Sequence, residues 1–281
     1  MKKETSKFSV VLLIQYIVCI LLAVLSIMPF YIMIVNATRT TYQIQQHAIS
    51  LIPSGALMNN LKILTGKSFN PLIGFRNSMI ISTGSTLCAV YFSSLTAYAL
   101  VVYKWKMRDA FFTFILAVMM IPAQVVSIGF YQFMYQIHMT NNFLALILPA
   151  IAGPSMVFFM RQFMLPALPI DIINSARIDG AREFYTFNKI VIPIMKPAIA
   201  TQAIFSFVTS WNNLFLPLIL LTNKDKYTMP IMVSLLKGDI YKTEYGAIYC
   251  GLLLTVLPLF VVYFLLSKYI IAGVALGGVK E

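Results

Sequence analysis

Long runs without a charged side chain alternate with short polar connections along the whole chain. A membrane-spanning helix needs about 20 mostly apolar residues. The third of these runs has 51 residues, and a polar group at residues 135–142 divides it into two spans. The pattern therefore predicts an all-α membrane protein with six transmembrane helices. The runs cover residues 8–38, 77–103, 110–160, 197–223 and 245–267.

The composition agrees with a chain that lies mostly in lipid. Hydrophobic residues make up 59% of the sequence and charged residues 11%, and the mean hydropathy is +0.83. A soluble domain is about half apolar and about one quarter charged. The net charge is +12, but the Lys and Arg residues stand in short groups between the apolar runs. That placement favours membrane flanks over a nucleic-acid surface, so no nucleic-acid partner is expected.

The distribution of Lys and Arg also predicts the orientation, because cytoplasmic loops carry an excess of these residues. With the N-terminus in the cytoplasm, 13 of the 21 basic residues fall in inner segments. The bias is clearest in the two compact inner connections, at residues 104–108 and 161–196. We therefore expect both termini to be cytoplasmic, with residues 162–196 on the same side.

The residue types that form metal and redox sites are present but scattered. Cys19, Cys88 and Cys250 each lie in an apolar run without CxxC spacing, as expected of small buried side chains. His47 and His138 lie far apart in the sequence. The sequence therefore predicts no metal site in this chain.

Nucleotide and ion sites are also not indicated. A GKS sequence at residues 66–68 lacks the further glycine of a phosphate-binding loop, since Leu61 occupies that position. No Asp, Glu, Lys or Arg lies near the middle of a span, where a charge usually marks an ion or proton pathway. This argues against a proton-coupled carrier and against a membrane enzyme acting on lipid head groups.

Two spans carry uncharged polar residues that suit a solute pathway. The fifth contains SWNNLF at residues 210–215, and the third contains IPAQ at residues 121–124. Amide and hydroxyl groups can hydrogen-bond the hydroxyls of a sugar, and an aromatic ring can cover its C–H face. The same polar groups can instead bond one helix to another, and the sequence leaves both alternatives open. The candidate pathway residues are Gln124, Gln202, Trp211, Asn212 and Asn213.

The inner segment at residues 162–196 has a helix–turn–helix pattern. Pro169 and Asp171 favour a helix start, because an acid is stabilised at the positive end of a helix. Gly180 permits the left-handed backbone that ends a helix, and Pro193 and Pro197 close the second one. The predicted apolar sides hold Ile172, Ile173 and Ala176 in the first helix, and Phe184, Phe187 and residues 190–192 in the second.

Small side chains surround the turn, at Ser175, Ala176, Gly180 and Ala181, and they allow another surface to approach closely. A helix of this kind suits a cleft in a partner protein. An amphipathic helix resting on lipid head groups has the same periodicity. The pattern alone does not decide between these two alternatives.

The spacing in this segment resembles the EAA loop of importer-type ABC transporter permeases. That loop reads E-A-A, three residues, Gly, nine residues, then I-x-L-P. Here residues 174–176 read NSA, Gly180 follows after three residues, and residues 190–193 read IVIP. The sequences ARIDGA (176–181), MIPAQVV (120–126) and WNNLFLPL (211–218) extend the likeness. Together they resemble the carbohydrate-uptake branch, in subunits similar to the maltose permease MalG.

The resemblance implies an importer-type ABC permease fold with a cytoplasmic coupling helix, in a multi-pass protein of the bacterial inner (plasma) membrane. The implied partners are a second, non-identical permease subunit, an ATPase dimer, an external solute-binding protein, membrane lipid and a sugar substrate. The chain itself would hold no cofactor and would not be an enzyme, because ATP and Mg would bind to the ATPase subunits. It would translocate a sugar or oligosaccharide that the external protein delivers.

The resemblance also implies which residues dock onto the ATPase. In one departure from the family pattern, Asn174 replaces the leading glutamate, so no ion pair can form there. The implied docking residues are Asn174, Ser175, Ala176, Asp179, Gly180 and Ala181. The implied division of the chain is 1–75 for an N-terminal transmembrane helix and external loop, 76–268 for a five-helix permease core with the loop at 162–196, and 269–281 for a cytoplasmic tail.

Two other functions stay open on the sequence. A permease of the same superfamily for a peptide, an amino acid or a polyol would share the loop but not the sugar-like flanking sequences. A secondary carrier would need a coupling-ion site, and none is visible in the sequence. A structural or receptor protein would not need this helix–turn–helix spacing between the fourth and fifth spans.

Overall fold

The computed structural model describes residues 10–66, 69–236 and 243–278, with side chains from residue 12 to residue 265 apart from Ala123. Every regular element in these ranges is helical. The helices are α1 (Val10–Ala37), α2 (Thr41–Gln46), α3 (Leu57–Gly66), α4 (Pro71–Val102), α5 (Arg108–Met119), α6 (Ala123–Gln136), α7 (Leu144–Ile147), α8 (Pro154–Ala167), α9 (Ile170–Ile178), α10 (Glu183–Thr186), α11 (Ile192–Ile194), α12 (Lys196–Trp211), α13 (Phe215–Leu220), α14 (Met229–Leu235) and α15 (Tyr245–Gly278). Shorter turns are 3₁₀-helical at Leu148–Ala152 and Lys224–Lys226 and π-helical at Phe187–Val191.

Three helices in the described ranges are long and apolar enough to cross a membrane alone, at Leu12–Ala37, Pro71–Val102 and Tyr245–Leu265. Three bent pairs reach the same length together, and counting each pair as one span gives up to six, the number that the sequence predicts, although the third pair begins at Glu183 rather than at the predicted residue 197. The pairs are Arg108–Met119 with Gln124–Gln136 at 98°, Leu144–Ala152 with Pro154–Ala167 at 40°, and Glu183–Ile194 with Lys196–Trp211 at 82°.

Each bend lies beside a proline. Pro122 precedes α6, Pro154 begins α8, and Pro197 lies in the first turn of α12. A proline has no backbone N–H, and it disfavours helical geometry at the residue before it. The helix therefore stops and restarts in a new direction. The uninterrupted hydropathy of the runs did not indicate the first two breaks, whereas the break at Pro197 lies where the second helix of the inner segment was predicted to close.

Contacts divide the chain into two compact units, one formed by residues 1–69 with 233–254. In this unit the buried Arg39 guanidinium donates to the carbonyl oxygens of Gln43 and His47 at 2.8 and 2.7 Å. The buried Asn60 amide donates to the carbonyl oxygen of Ala37 at 2.9 Å. A Cβ on Gly246 would lie 2.6 Å from the carbonyl oxygen of Arg39, so only glycine allows this approach of α15. These contacts hold residues 39–66 to the end of α1.

The second unit, residues 70–232 with 255–281, is built around α4. Asn70 caps this helix by accepting hydrogen bonds from the backbone N–H groups of Leu72 and Ile73, and Pro71 follows in its first turn. The buried side chains of α4 are mostly small, so α8 and α12 pack closely against it. They include Gly74, Ser78, Ser82, Ser85, Ala89, Ser93, Ser94 and Ala97.

The predicted division of the chain after residues 75 and 268 separates parts by their expected function, and it stays a prediction. The units defined by contacts cut the chain elsewhere, because residues 233–236 and 243–254 pack with residues that precede α4. Cys250 illustrates this packing, since its thiol donates to the carbonyl oxygen of Ala37. Side-chain packing along the tail at 269–281 lies outside the described residues.

Candidate functional site

The turn after α9 has the hydrogen bonds of a Schellman motif. Gly180 adopts φ +76°, its N–H donates to the carbonyl oxygen of Arg177 at 3.0 Å, and the Ala181 N–H donates to that of Ala176 at 2.9 Å. These two bonds satisfy carbonyl groups that every helix end leaves unpaired. The predicted helix end at Gly180 is therefore confirmed. The turn is also short and stiff, because two hydrogen bonds close it.

The predicted docking residues divide into exposed and packed groups around this turn. Asn174, Ser175, Asp179 and Gly180 are exposed, and Ala181 is half-buried. Ala176 is only 7% exposed, so it packs inside the chain and has almost no surface for a partner. We call residues 170–186 the α9–α10 segment.

The segment exposes three large apolar side chains. Ile178 is 85% exposed at the end of α9, and Ile172 and Phe184, which belong to the predicted apolar sides, are exposed as well. From the same predicted sides, Ile173 and Phe187 are buried. Neighbouring residues on a helix point about 100° apart, so Ile172 and Ile173 cannot both face inward fully. The one signal for Ile178 is its position directly before the Asp-Gly pair.

The second helical stretch also differs from a regular α-helix. Residues Phe187–Val191 form a π-helical turn, which holds one more residue per hydrogen-bonded ring than an α-helix. Phe187 and Val191 are both buried against α4 and α8 in one apolar cluster. The wider turn brings both side chains to the same side, while Phe184 stays outside it.

Charged groups join the two sides of the Schellman turn. Arg177 Nε donates to Glu183 Oε1 at 2.6 Å, and Arg177 Nη1 lies 3.5 Å from Asn174 Oδ1. The Tyr98 hydroxyl donates to the other carboxylate oxygen of Glu183 at 3.0 Å. The hydrogen bond with Glu183 holds the pKa of Arg177 above its usual value. Four side chains, from α4, α9 and α10, therefore form one polar cluster.

A second candidate site is a groove between α4, α8, α12 and the short helices near α7. It comprises two adjoining cavities of about 550 and 580 Å3 that share Leu146, Ser155, Ser210 and Asn213. Every side chain that lines them is uncharged. We call it the polar groove; its polar lining residues are Ser85, Ser127, Ser155, Gln202, Ser206, Thr209, Ser210 and Asn213.

The structure places only part of the predicted pathway set in this groove. Gln202 and Asn213 line it, whereas Gln124 and Asn212 are exposed and lie outside its lining. The polar residue of α6 that lines the groove is Ser127, one turn after Gln124. Its hydroxyl donates to the carbonyl oxygen of Gln124 at 2.6 Å, which turns it toward its own helix.

Trp211 is placed inside the unit rather than in the groove. It is 1% exposed, and its indole N–H donates to the carbonyl oxygen of Thr255 at 3.0 Å. Its ring stacks on Phe207 with centroids 5.7 Å apart and meets the edge of Phe75 at 5.8 Å. A ring enclosed in this way has no free face for a sugar, so the geometry assigns Trp211 to packing.

The described residues hold no group of three or more His, Cys, Asp or Glu side chains that could bind a metal ion. Cys19, Cys88 and Cys250 are free thiols. The two candidate sites are therefore an exposed turn and a groove lined by uncharged side chains.

Comparison with known proteins gives consistent matches along the chain. The family model described as "Binding-protein-dependent transport system inner membrane component" matches residues 89–275. The arabinooligosaccharides transport system permease protein AraQ of Halalkalibacterium halodurans is 34% identical over 261 residues, which cover 92% of this chain and 93% of that protein. The lactose transport system permease protein LacG of Rhizobium radiobacter is 33% identical, covering 95% and 96%.

A solved structure has a similar fold. It is described as a bacterial ABC transporter involved in the import of the acidic polysaccharide alginate. The match has a TM-score of 0.79 and 18% identity, and it covers 96% of this chain and 100% of that chain. At 18% identity, this match supports a shared fold and nothing more specific.

The left-handed turn predicts a specific difference between two substitutions at Gly180. No atom lies within 4 Å of a Cβ built there, so a substitution acts through backbone strain alone. Gly180→Val should destabilise the turn by about 1–2 kcal/mol, whereas Gly180→Asn should be tolerated, because asparagine accepts positive φ. Hydrogen exchange at residue 181 should be about tenfold faster in the valine variant. Equal exchange in both variants would contradict the assignment.

Proposed function

The chain belongs to the family of binding-protein-dependent transport system inner membrane components, as its EAA-like loop predicted, and on this premise we propose that it imports a neutral sugar or oligosaccharide with partner subunits. It would form the translocation pathway together with a second, non-identical permease. An external binding protein would deliver the solute, and an ATPase dimer would supply the energy.

The α9–α10 segment is proposed as the docking element for the ATPase. Its exposed Ile178 and Phe184 offer apolar surface next to the polar Asn174, Ser175 and Asp179, a combination typical of interface centres. The Schellman turn makes the segment stiff enough to transmit a displacement. ATP and Mg would bind to the ATPase, and this chain would contribute no reactive group.

Asn174 modifies this docking surface. It stands where the family pattern has glutamate, and its side-chain oxygen lies 3.5 Å from Arg177 Nη1. Arg177 directs its shorter contact to Glu183, at 2.6 Å. An uncharged residue at position 174 leaves that ion pair without a competing carboxylate. We infer that docking at Asn174 depends on hydrogen bonding and shape rather than on charge.

The neutral lining of the polar groove carries the sugar assignment. Hydroxyl and amide groups such as Ser155, Gln202 and Asn213 can donate to and accept from sugar hydroxyls. An anionic or zwitterionic solute would gain no compensating charge in this groove, and burying an uncompensated charge is costly. The names of the related AraQ and LacG proteins support the same class. A polyol permease of the same superfamily is the second candidate, because it would use the same neutral groups.

The orientation of the chain follows from the same proposal. ATP is hydrolysed on the cytoplasmic side, so an α9–α10 segment that docks onto the ATPase must be cytoplasmic. Both termini then lie in the cytoplasm, in agreement with the excess of Lys and Arg in the inner segments.

The proposed import activity can be tested in vesicles that contain this chain, the permease and ATPase encoded beside it, and the matching binding protein. Arabino-oligosaccharides, malto-oligosaccharides and lactose are compared with sn-glycerol 3-phosphate and a dipeptide. We expect ATP-dependent uptake of at least one neutral sugar, at a rate about tenfold above both charged solutes or more. Uptake of the dipeptide or of sn-glycerol 3-phosphate without uptake of any sugar would overturn the sugar assignment.

The docking role predicts the effect of a charge at the most exposed apolar position of the segment. Ile178→Asp should weaken ATPase binding about 30-fold or more, as expected for loss of an interface hot spot. The ATPase that copurifies with the membrane-inserted permease measures this. Leu72→Asp, at an exposed leucine in the first turn of α4, is the matched control and should bind normally. Normal ATPase binding by Ile178→Asp would refute docking at this surface.

The groove predicts a loss of transport that leaves ATPase binding intact. Asn213→Ala removes an amide that lines both cavities and should lower uptake about fivefold, the effect of roughly one lost hydrogen bond. ATPase copurification should stay at the wild-type level. Asn59→Ala, an exposed asparagine on α3, is the control. Unchanged uptake in the Asn213 variant would remove this residue from the pathway.

A further inference from the structure

Two side chains from other helices meet at the carboxylate of Glu183. Arg177 approaches one oxygen from the end of α9, and the Tyr98 hydroxyl approaches the other from α4. Glu183 itself begins α10. The carboxylate therefore connects the two sides of the Schellman turn with a helix far away in sequence. We call these three residues the Glu183 cluster.

Exposure distinguishes this cluster from an ordinary surface ion pair. The Arg177 and Glu183 side chains are 33% and 42% exposed, and pairs of that kind contribute little on their own. Tyr98, however, is 2% exposed, and its ring lies 5.5 Å from the buried ring of Phe187. A hydrogen bond from a fixed, buried hydroxyl to an ionised group is stronger than one between neutral groups and holds one geometry. The carboxylate is thereby anchored to α4.

A further aromatic residue, Tyr103, interacts with both members of the ion pair. The Arg177 guanidinium lies 5.3 Å from the centre of the Tyr103 ring, within range of a cation–π contact. Tyr103 directly follows α4, and its ring meets that of Tyr98 edge-on at 5.8 Å. Both members of the ion pair are thus held by the same end of the same helix.

The helix that holds the cluster also contributes to the polar groove. α4 packs against α8 and α12, and Ser85 of α4 lines the groove with Ser155 of α8 and Gln202 of α12. The exposed surface of the α9–α10 segment and the groove are therefore joined through one long helix. α8 and α12 also line the groove and adjoin the segment along the chain, so α4 is the one of the three helices that reaches the segment through side-chain contacts alone.

We propose that the Glu183 cluster is the link that makes α4 move with the α9–α10 segment, with Tyr98, Arg177 and Glu183 as positioning residues for transport. This inference rests on the proposed function, since the segment must be displaced by an ATPase. Apolar packing around Phe187 resists separation but permits sliding, because it is not directional. The hydrogen bonds to Glu183 oppose sliding, because they require a particular geometry.

The sharpest variant is Tyr98→Phe, which removes one hydroxyl and keeps the packed ring. Uptake of the transported sugar and ATP hydrolysis are measured in the same vesicles of the complete transporter. We expect the number of sugar molecules imported per ATP to fall about tenfold, while the ATPase rate stays within about twofold of wild type. A purely structural role would lower both rates together with the amount of assembled complex, and the ratio would not change. An unchanged ratio overturns the proposal.

The matched control removes another phenolic hydroxyl from the same helix. The Tyr91 hydroxyl lies two turns earlier on α4 and contacts Asn188 Oδ1, a neutral group, at 3.3 Å. Tyr91→Phe should keep the wild-type ratio. If the number of sugar molecules imported per ATP falls equally in both variants, the Asn188 contact of α4 is as important as the Glu183 contact. That result would contradict the assignment to Glu183.

A double substitution tests whether the residues act as one link. Glu183→Gln should lower the ratio as Tyr98→Phe does, and the two together should lower it no further than either alone. Multiplying effects in the double variant would contradict a shared link.

A measurement without sugar separates this inference from the proposed function. Hydrogen exchange is followed in residues 89–102 and 170–186 of the complex, before and after trapping with ATP and vanadate. In the wild type we expect trapping to change both segments. In Tyr98→Phe, the change in residues 170–186 should persist and that in residues 89–102 should fall by about half or more. An undiminished change in residues 89–102 overturns the link. A wild type that hydrolyses ATP without importing any sugar contradicts only the proposed function.

Discussion

The close approach of α8 and α12 to α4 is the contact on which the rest of the larger unit depends. Two apolar helices gain little by hiding from lipid, so their association relies on tight packing, and small side chains allow it. Ser82, Ala89 and Ser93 supply such a surface on α4, and Gly84 lies against Ile147 so closely that a Cβ would come within 2.9 Å of it. This packing positions the walls of the polar groove. It also fixes the end of α4, against which the α9–α10 segment folds.

The two sites follow different physical rules. The α9–α10 segment presents exposed side chains on a stiff turn, as expected of a surface that receives force from a partner. The polar groove has neutral groups around an open volume, as expected of a pathway that must bind a solute weakly enough to release it. The Glu183 cluster joins the α9–α10 segment to α4 and supplies directional hydrogen bonds where apolar packing alone would permit sliding.

Much of the fold and part of the sites were predictable from local sequence. Gly180 after a short amphipathic helix predicted the left-handed turn, because few other residues adopt positive φ at low cost. The family resemblance, drawn from residues 174–193 with the stretches at 120–126 and 211–218, is confirmed by relatives that match nearly the whole chain. The bends near Pro122 and Pro154 and the π-helical turn were not predicted. Hydropathy over a 20-residue run does not register where a helix changes direction.

Local sequence by itself determined which segments are helices, which of them are apolar enough for a membrane, and where the exposed turn ends, because periodicity and backbone geometry act over a few residues. Tertiary structure alone decided which polar groups meet. It placed Trp211 against Thr255 inside the unit, kept Gln202 and Asn213 in the groove, and joined Tyr98 to a carboxylate 85 positions away. Contacts of that range depend on helix packing in three dimensions, and a single sequence carries no local signal for them.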